Sequence, residues 1–458
     1  MLTECSGTQV KFHCITIEDL VPQNHFMRKI DAVIDFSFIY DEVREYYCAN
    51  NGRPSIDPVV LTKYLLIGYL DGIESERRIE REIQVNMAYR WFLNIDLDGR
   101  VPDHSTISQL RRRKFNGTDL FRKLFERILT ICIEKGLVDG KVILTDSTHV
   151  KANASRKSEY KVLVERESAW YMERLDHYEE TTRKQLEQAG KIKPKHKRRA
   201  HKVQSVKVEK TVSVTDPGAG FLHRPGKPNG MHYLDHQSVD SKNGIIVDVA
   251  VTPGNATDAA PYLDRIEYME NRIGLKIETV GVDSAYDVSL VHQELFEKGI
   301  RVVSPINDEM PIYKSEFKRS DFVYNQDEDV FICPQGTPVP LRNLQRSECN
   351  ISREYRANPK DCRSCPVRDK CLSESQSCRR IHVNIFESAV KRNHMSDNSP
   401  EHKRILALRQ IWCEGRFAAQ KARHNLKRTL RRGLEAAETH CLLSATALNL
   451  KRMIKCLG

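Results

Sequence analysis

Met231 to Thr252 reads MHYLDHQSVDSKNGIIVDVAVT. Two strand-like runs, Met231 to Asp240 and Ile245 to Thr252, flank Asn243-Gly244. An Asn-Gly pair supplies the positive φ angles of a tight turn, and between two such runs it is the strongest short hairpin signal. Pro253-Gly254-Asn255 ends the second run, and Asp258 to about Ile273 reads as a helix. Upstream, Val142-Ile143-Leu144-Thr145 follows Asp139-Gly140 and reads as a short buried strand. Downstream come a strand at Ile277 to Val282, a helix near Val288 to Lys298 and a strand at Ile300 to Ser304. The order strand, long insert, hairpin, helix, strand, helix, strand predicts an α/β fold, a mixed sheet flanked by helices.

Residues 1 to about 135 read as helical. Asp57-Pro58 opens an apolar-periodic stretch, with Pro in the first helical turn. Ser75 to Val85 is a charged amphipathic helix, and Pro102-Asp103-His104-Ser105 starts another, Thr106 to Phe115, carrying Arg111-Arg112-Arg113-Lys114. Short helices ending in an Arg-rich one suit a helix-turn-helix layout; a plain bundle with a basic surface has the same spacing. Residues 157 to about 200 return to charged helical character. Residues 305 to about 400 read as a turn-rich, cysteine-bearing insert, and a long helical tract, Ile405 to Lys455, closes the chain with a break near Gly433. The expected division is a helical DNA-binding domain (1–135), a catalytic core (136–304) with a basic helical insert at about 157–205, a cysteine-rich insertion (305–400) and a helical return to the core (401–458).

The chain has 458 residues, 40% hydrophobic and 29% charged, as in a soluble globular protein. No stretch approaches the roughly 18 apolar residues of a membrane helix, and Met1 to Val10 lacks a signal-peptide pattern, so a cytoplasmic protein is the default. The net charge of +11 favours acidic partners, nucleic acid first among them. It is concentrated in Lys191 to Lys202 (KIKPKHKRRAHK) and Lys421 to Arg432 (KARHNLKRTLRR); the first run is as readily a solvated face.

Asp146 and Asp283 each follow a predicted strand, Val142 to Thr145 and Ile277 to Val282. If those strands are neighbours, the two carboxylates converge at the crevice beyond the strand ends. Taken singly, each is as well explained as a turn or cap residue. Glu414 lies in IWCEGRFAAQK (411–421). On a helix Glu414 shares a face with Lys421, about 10 Å along the axis, and Arg428 would continue that stripe. An acid that holds a metal, with cations beyond it for phosphates, suits DNA strand transfer. By pattern alone, a solvated face with ion pairs is the plainer reading.

The segments DSTHVKANAS (146–155), VDSKNGIIVDVAVTPGNATD (239–258), GVDSAYD (281–287) and Glu414 to Arg432 together resemble the DDE transposases of bacterial insertion sequences, and Arg53 to Phe115 is similar to the helical domain that precedes their catalytic domain. The resemblance implies an RNase H-like core, a mixed five-stranded sheet with helices on both faces. It implies acids on the first strand, just after the fourth, and on a late helix beyond an insertion: Asp146, Asp283 and Glu414. Related transposases carry a Tyr and an Arg before that Glu. Here Gln410 stands at the Arg position with Arg409 beside it, and no Tyr precedes, so a phosphate-gripping role for Arg409 stays open.

The implied activity is metal-dependent DNA cleavage and strand transfer with Mg²⁺ or Mn²⁺ on the three acids, which are hard oxygen ligands. The implied partners are double-stranded DNA, as terminal inverted repeats and target, and a second copy of the chain; nucleoid association follows, and no membrane. His149, Lys151, Arg111, Arg112, Arg113, Lys421 and Arg428 are the candidate DNA contacts, His149 being better suited to hydrogen bonding than to metal ligation. A transposase-derived protein that only binds DNA, and a metal-dependent nuclease without joining, are the competing readings.

Thirteen cysteines in a chain with no export signal argue against a disulfide framework. Cys132 and Cys441 read as small core residues. Cys362-x2-Cys365-x5-Cys371, with Cys333 upstream, has the knuckle spacing of structural Zn²⁺, with Cys349 and Cys378 as alternative fourth ligands.

Overall fold

The computed structural model describes residues 14–48, 55–115, 118–165, 171–194, 207–223, 229–306, 316–346 and 350–458. Most of the Lys191 to Lys202 run and Cys349 lie outside the described residues.

The first helices form as the sequence predicts. Asp57 caps the helix Pro58–Leu70, its Oδ1 accepting from Val59 N at 2.7 Å, with Pro58 at the first turn. Apart from Thr62 and Lys63, which is ion-paired with Asp31, this helix is apolar, and Leu61, Tyr64, Leu65, Leu66, Ile67 and Leu70 are all buried. A helix with no polar face must be covered on every side. It is held from the C-terminal part of the chain by Tyr69 Oη to His440 Nδ1 (2.8 Å), His424 Nδ1 to Tyr69 O (2.7 Å) and Asn425 Nδ2 to Gly68 O (3.1 Å). One hydrophobic core therefore runs from Met27 through the Leu120–Glu134 helix and the central sheet to Ile454.

The strands are β1 (Val142–Lys151), β2 (Glu159–Glu165), β3 (Lys207–Ser213), β4 (Gly220–Leu222), β5 (Gly230–Asp240), β6 (Ile246–Pro253), β7 (Thr279–Gly281), β8 (Arg301–Val303), β9 (Val323–Asn325), β10 (Val330–Ile332), β11 (Pro338–Arg346), β12 (Ile351–Arg356) and β13 (Arg380–Asn384). The central sheet is mixed, and β6 and β5 form the predicted hairpin. β5 pairs antiparallel with β1, and β1, β7 and β8 lie parallel in that order. Six strands join it rather than five, because β4 pairs with the start of β5 on the same flank as β6.

β1 also corrects the expectation that Asp146 follows a strand. It runs on to Lys151, paired throughout with β5, so Asp146 is mid-strand opposite Gln237. Only the other edge of β1 ends early. Its last partner on β7 is Leu144 against Gly281, leaving Asp146 just beyond that neighbour.

Two glycines bring the helical tract down onto this edge. A Cβ on Gly281 would lie 2.8 Å from both Ile405 Cγ2 and Leu144 Cδ2, so only Gly lets the helix Pro400–Arg409 press onto β1 and β7. Gly244, in the hairpin turn at φ +66°, would place a Cβ 2.6 Å from the Trp412 ring. Trp412 Nε1 also donates to Ser241 O of the same turn at 3.1 Å. The Asn-Gly turn thus seats the residue two places before Glu414.

Two further expectations change. Residues 159–165 are not helical: Tyr160, Val162 and Val164 alternate along β2, which pairs antiparallel with β3, and the helix begins only at Met172–Gln188. The insertion is not a turn-rich stretch either. It holds a five-stranded antiparallel sheet in the order β13-β12-β11-β10-β9, whose Phe331, Val339, Ile351, Tyr355 and Phe386 share a core with Leu175, Leu186, Ile192 and Leu290 from earlier in the chain.

Gly244→Ala should cost about 2 to 4 kcal/mol in denaturant unfolding, from a positive φ and a crowded ring together. A neutral effect would show that the turn does not fix Trp412.

Candidate active site

Three acids from three elements meet one guanidinium. Arg409 ends the helix Pro400–Arg409, its side chain 11% exposed. Its Nη1 lies 3.1 Å from Asp146 Oδ2, and its Nη2 lies 3.6 Å from Asp283 Oδ1 and 3.9 Å from Glu414 Oε1. Asp283 follows β7 and caps the short turn Ser284–Tyr286, with Oδ1 accepting from Ser284 N at 2.8 Å. The capping reading of Asp283 therefore holds, and its same Oδ1 is the atom that faces Arg409. Tyr286, buried edge-on against Tyr262 at 5.0 Å, anchors the turn from below. Glu414 closes a widened π turn, Gln410–Glu414. Such turns bond five residues apart, which brings Arg409 and Glu414 to one side despite their five-residue spacing.

The acids differ in setting. Asp146 is 16% exposed, against 43% for Asp283 and 54% for Glu414. Burial pushes the Asp146 carboxyl up to about 6; Arg409 and the Ser147 amide oppose that, and the two other acids add to it. A desolvated carboxylate with acidic neighbours, at the mouth of a crevice, is a setting that a further cation would relieve. The donor set is all carboxylate oxygen, which fits Mg²⁺ or Mn²⁺.

Behind Asp146 lies a buried polar network. Gln237 and Gln420 exchange side-chain hydrogen bonds at 2.8 and 3.1 Å, Ser444 Oγ donates to Gln420 at 3.1 Å, and Gln237 Nε2 donates to Asp235 Oδ2 at 2.8 Å. It ties β5 to the helices Gly415–Arg423 and Leu434–Leu457. Lys421 emerges beside it, its Nζ donating to Thr148 Oγ1 at 2.6 Å on the Asp146 face of β1. Asp235 is fully buried, and burial raises its carboxyl to about 7. On the reverse face, Ser147 Oγ donates to Asp258, which precedes its helix rather than starting it.

Other predicted residues fall elsewhere. His149 and Lys151 alternate with Asp146 and Thr148, so they face the opposite side of β1. His149 sits edge-on to His232 at 6.0 Å. Arg111 is buried and ion-paired with Glu76, which withdraws it from the surface; Arg112 and Arg113 are exposed. Arg428 is not on the Glu414 helix, which ends at Arg423; it pairs with Lys151 in an extended segment. Cys132 and Cys441 are buried as expected.

Cys333, Cys362, Cys365 and Cys371 line one pocket, with Thr337 N donating to Cys333 Sγ at 3.3 Å. Cys378 is not among its lining residues and accepts instead from Arg356 Nε at 3.3 Å. Among the described residues, the ligand atoms of Asp287, His292 and His394 lie within 4.8 Å of one another, as do those of Glu80, Asp103 and His104, whereas the four pocket cysteines are not grouped so closely. Val302 N donates to Asn393 Oδ1, which turns the Asn393 amide toward His292 Nδ1. That leaves His292 Nε2 protonated on Asp287, a hydrogen bond rather than a metal ligand.

Residues 15–113 match a transposase domain (DUF772), and residues 332–454 match a transposase DDE domain. Both matches are to transposase domains, the second of the DDE type. No curated protein matches it. Among solved structures, the piggyBac transposase synaptic complex with hairpin DNA is 10% identical, covering 94% of this chain and 83% of that one, at a TM-score of 0.29. The Mos1 transposase paired-end complex with the left transposon end is 11% identical, covering 56% and 61%, at 0.16. At such scores neither likeness bears on any residue. Glu414 and Lys421 both fall inside the DDE match, while Asp146 and Asp283 precede it. Among the described residues, no helix is long and apolar enough to cross a membrane.

Asp235 supplies a pH test. Its carboxyl is raised in the fold, so it stabilises fully below about pH 4 and loses that contribution as pH rises through about 7. Asp235→Asn should therefore gain stability relative to wild type between pH 5 and pH 8, by up to roughly 4 kcal/mol. A pH-independent difference in denaturant unfolding would mean that Asp235 ionises freely.

Proposed function

We propose that the chain is a transposase that binds the ends of an insertion sequence and catalyses metal-dependent DNA cleavage and strand transfer. The observation that carries this is the convergence of Asp146, Asp283 and Glu414 on Arg409 at the crevice where β7 stops. We assign the catalytic core to the RNase H-like class. The strand order β6-β5-β1-β7-β8, with the first three antiparallel and the last three parallel, supports that assignment. Residues 1–135 serve as the DNA-binding helical part, 136–304 and 401–458 as the catalytic core, and 305–400 as the insertion.

Asp146, Asp283 and Glu414 would hold Mg²⁺ or Mn²⁺. Divalent ions bound there supply activation of the attacking oxygen and stabilisation of the leaving one. The chain's own groups orient the DNA. Lys421, steadied by Thr148, takes a phosphate beside the scissile bond, and Arg409 offers a planar fork to a non-bridging oxygen. Arg112 and Arg113 contact DNA from the helical part. Two copies act across two element ends.

Asp146→Ala, Asp283→Ala or Glu414→Ala should lower cleavage of DNA bearing the flanking inverted repeats by at least about a hundredfold, with binding retained. Incubation with Mg²⁺, scoring nicks and joined products, is the test. Full cleavage by a variant removes that residue from the site, and cleavage without joined product makes the chain a nuclease instead.

The four pocket cysteines would hold one structural Zn²⁺ as a closed thiolate site. Purified protein should contain one zinc per chain by elemental analysis. Cys365→Ser should lose it and lower the unfolding temperature, whereas Cys378→Ser should keep it.

A further inference from the structure

After the helix Gly415–Arg423 the chain does not loop freely. Leu426 and Thr429 are fully buried, and between and beyond them Lys427, Arg428, Leu430 and Arg432 point outward. The segment adds to β1 as a short parallel strand: Lys151 N donates to Lys427 O at 3.3 Å and Thr429 N to Lys151 O at 3.0 Å. Asn153 Nδ2 donates to Leu430 O at 2.7 Å, Arg432 Nε to Asn153 O at 3.1 Å, and Gly433 N to Asp216 Oδ1 at 2.9 Å.

This strand begins where the open edge of β1 ends. From Leu144, the last partner of β7, to Lys151, the partner of Arg428, that edge is unpaired among the described residues. It spans about 23 Å at roughly 3.3 Å per residue. Arg409 and the acids stand at one end, and Lys151, Lys427, Arg428 and Arg432 at the other. All four of those cations are exposed, and none forms an ion pair with a carboxylate among the described residues. Arg428 donates to a neutral side-chain acceptor, Asn153 Oδ1, at 3.4 Å. Cations crowded on a pinned strand with no acid among them repel one another, and a polyanion relieves that repulsion. Arginine forks on an extended segment suit phosphates in series.

We propose that residues 427–432, with Lys151, form a phosphate rail that carries the DNA backbone away from the acidic crevice along the open edge of β1. This rests on the transposase reading and assigns Lys427 and Arg432, beside Lys151 and Arg428, to the track of the DNA. The rail reads backbone charge and not sequence.

The test is the salt dependence of duplex binding by the full chain, measured by fluorescence anisotropy without divalent metal. The triple variant Lys427→Gln, Arg428→Gln, Arg432→Gln should reduce the slope of log affinity against log salt by about 2 to 3, near 0.9 for each phosphate no longer neutralised. The reduction should be equal for duplexes of unrelated sequence. Arg428→Lys should keep the wild-type slope, since the charge remains. Lys276→Gln, exposed at the opposite end of the sheet, should change nothing. A wild-type chain that binds duplex, paired with an unchanged slope in a triple variant of normal thermal stability, overturns the rail alone. A wild-type chain that binds no duplex overturns the transposase reading and the rail with it.

Discussion

Three carboxylates cannot share a crevice without a cation among them. Two like charges 4 Å apart repel by about 4 kcal/mol even at an effective dielectric near 20. Here Asp146 is mostly buried as well, and burial alone already drives its carboxyl toward the neutral form. Arg409 is what lets the three approach in this structure, reaching each of them within 3.9 Å. The architecture around it can be read as the means of delivering that guanidinium. Gly281 clears the surface of β1 and β7 for the Arg409 helix, and Gly244 makes room for Trp412 beyond it.

The π turn completes the delivery. In a regular α-helix, residues five apart point about 140° away from each other. Arg409 and Glu414 have that spacing, and a regular helix would turn one of them away from Asp146. The turn Gln410–Glu414, closed by Gly415 N to Gln410 O, takes up the extra residue. The five-residue spacing of Arg409 and Glu414 is therefore matched by a local change of helical pitch.

The sequence was most readable where one local rule decides the outcome. The Asn243-Gly244 turn, the Asp57 and Asp103 caps and the short apolar strands β7 and β8 all formed where patterning put them. It was least readable where tertiary contact overrides the local rule. The second half of β1, DSTHVK, has no apolar alternation, its residues 146–149 being only half-buried, yet β5 holds it extended to Lys151. β11 does alternate, but a bulge between Leu341 and Asn343 shifts the phase, so Val339, Leu341 and Leu344 fall out of step with a simple period of two. The expected Arg428 stripe failed for a cause visible in the sequence, since Asn425 takes a φ of +61° just after the helix end, the usual stop signal. Of the candidate site, Asp146, Asp283 and Glu414 were singled out in the sequence and each reaches Arg409, while the Gln237–Gln420 pair, Thr148 and the setting of Arg409 required neighbours that no spacing announces.

The third acid depends on a long detour, and the detour is closed by hydrogen bonds near its ends. Asp283 and Glu414 are separated by the whole insertion, yet His402 Nε2 meets Ser304 O at 3.1 Å across 98 residues of chain. Arg301 on β8 adds Glu401 and Ser396, both at 2.8 Å, and Asn393 adds Val302. Entry and exit of the insertion are thus stapled at the edge of the sheet. The insertion buries its apolar residues in a second core, which it shares with Leu175, Leu186, Ile192 and Leu290. Closing a longer loop costs only slowly more with length, so what lies between the staples can vary in size without moving the Arg409 helix. The position of the Arg409 helix is held by the His402–Ser304 hydrogen bond and by its close approach to Gly281. The number of residues between the second acid and the third is nearly irrelevant to it, which is why that spacing in the sequence carries so little information about the site.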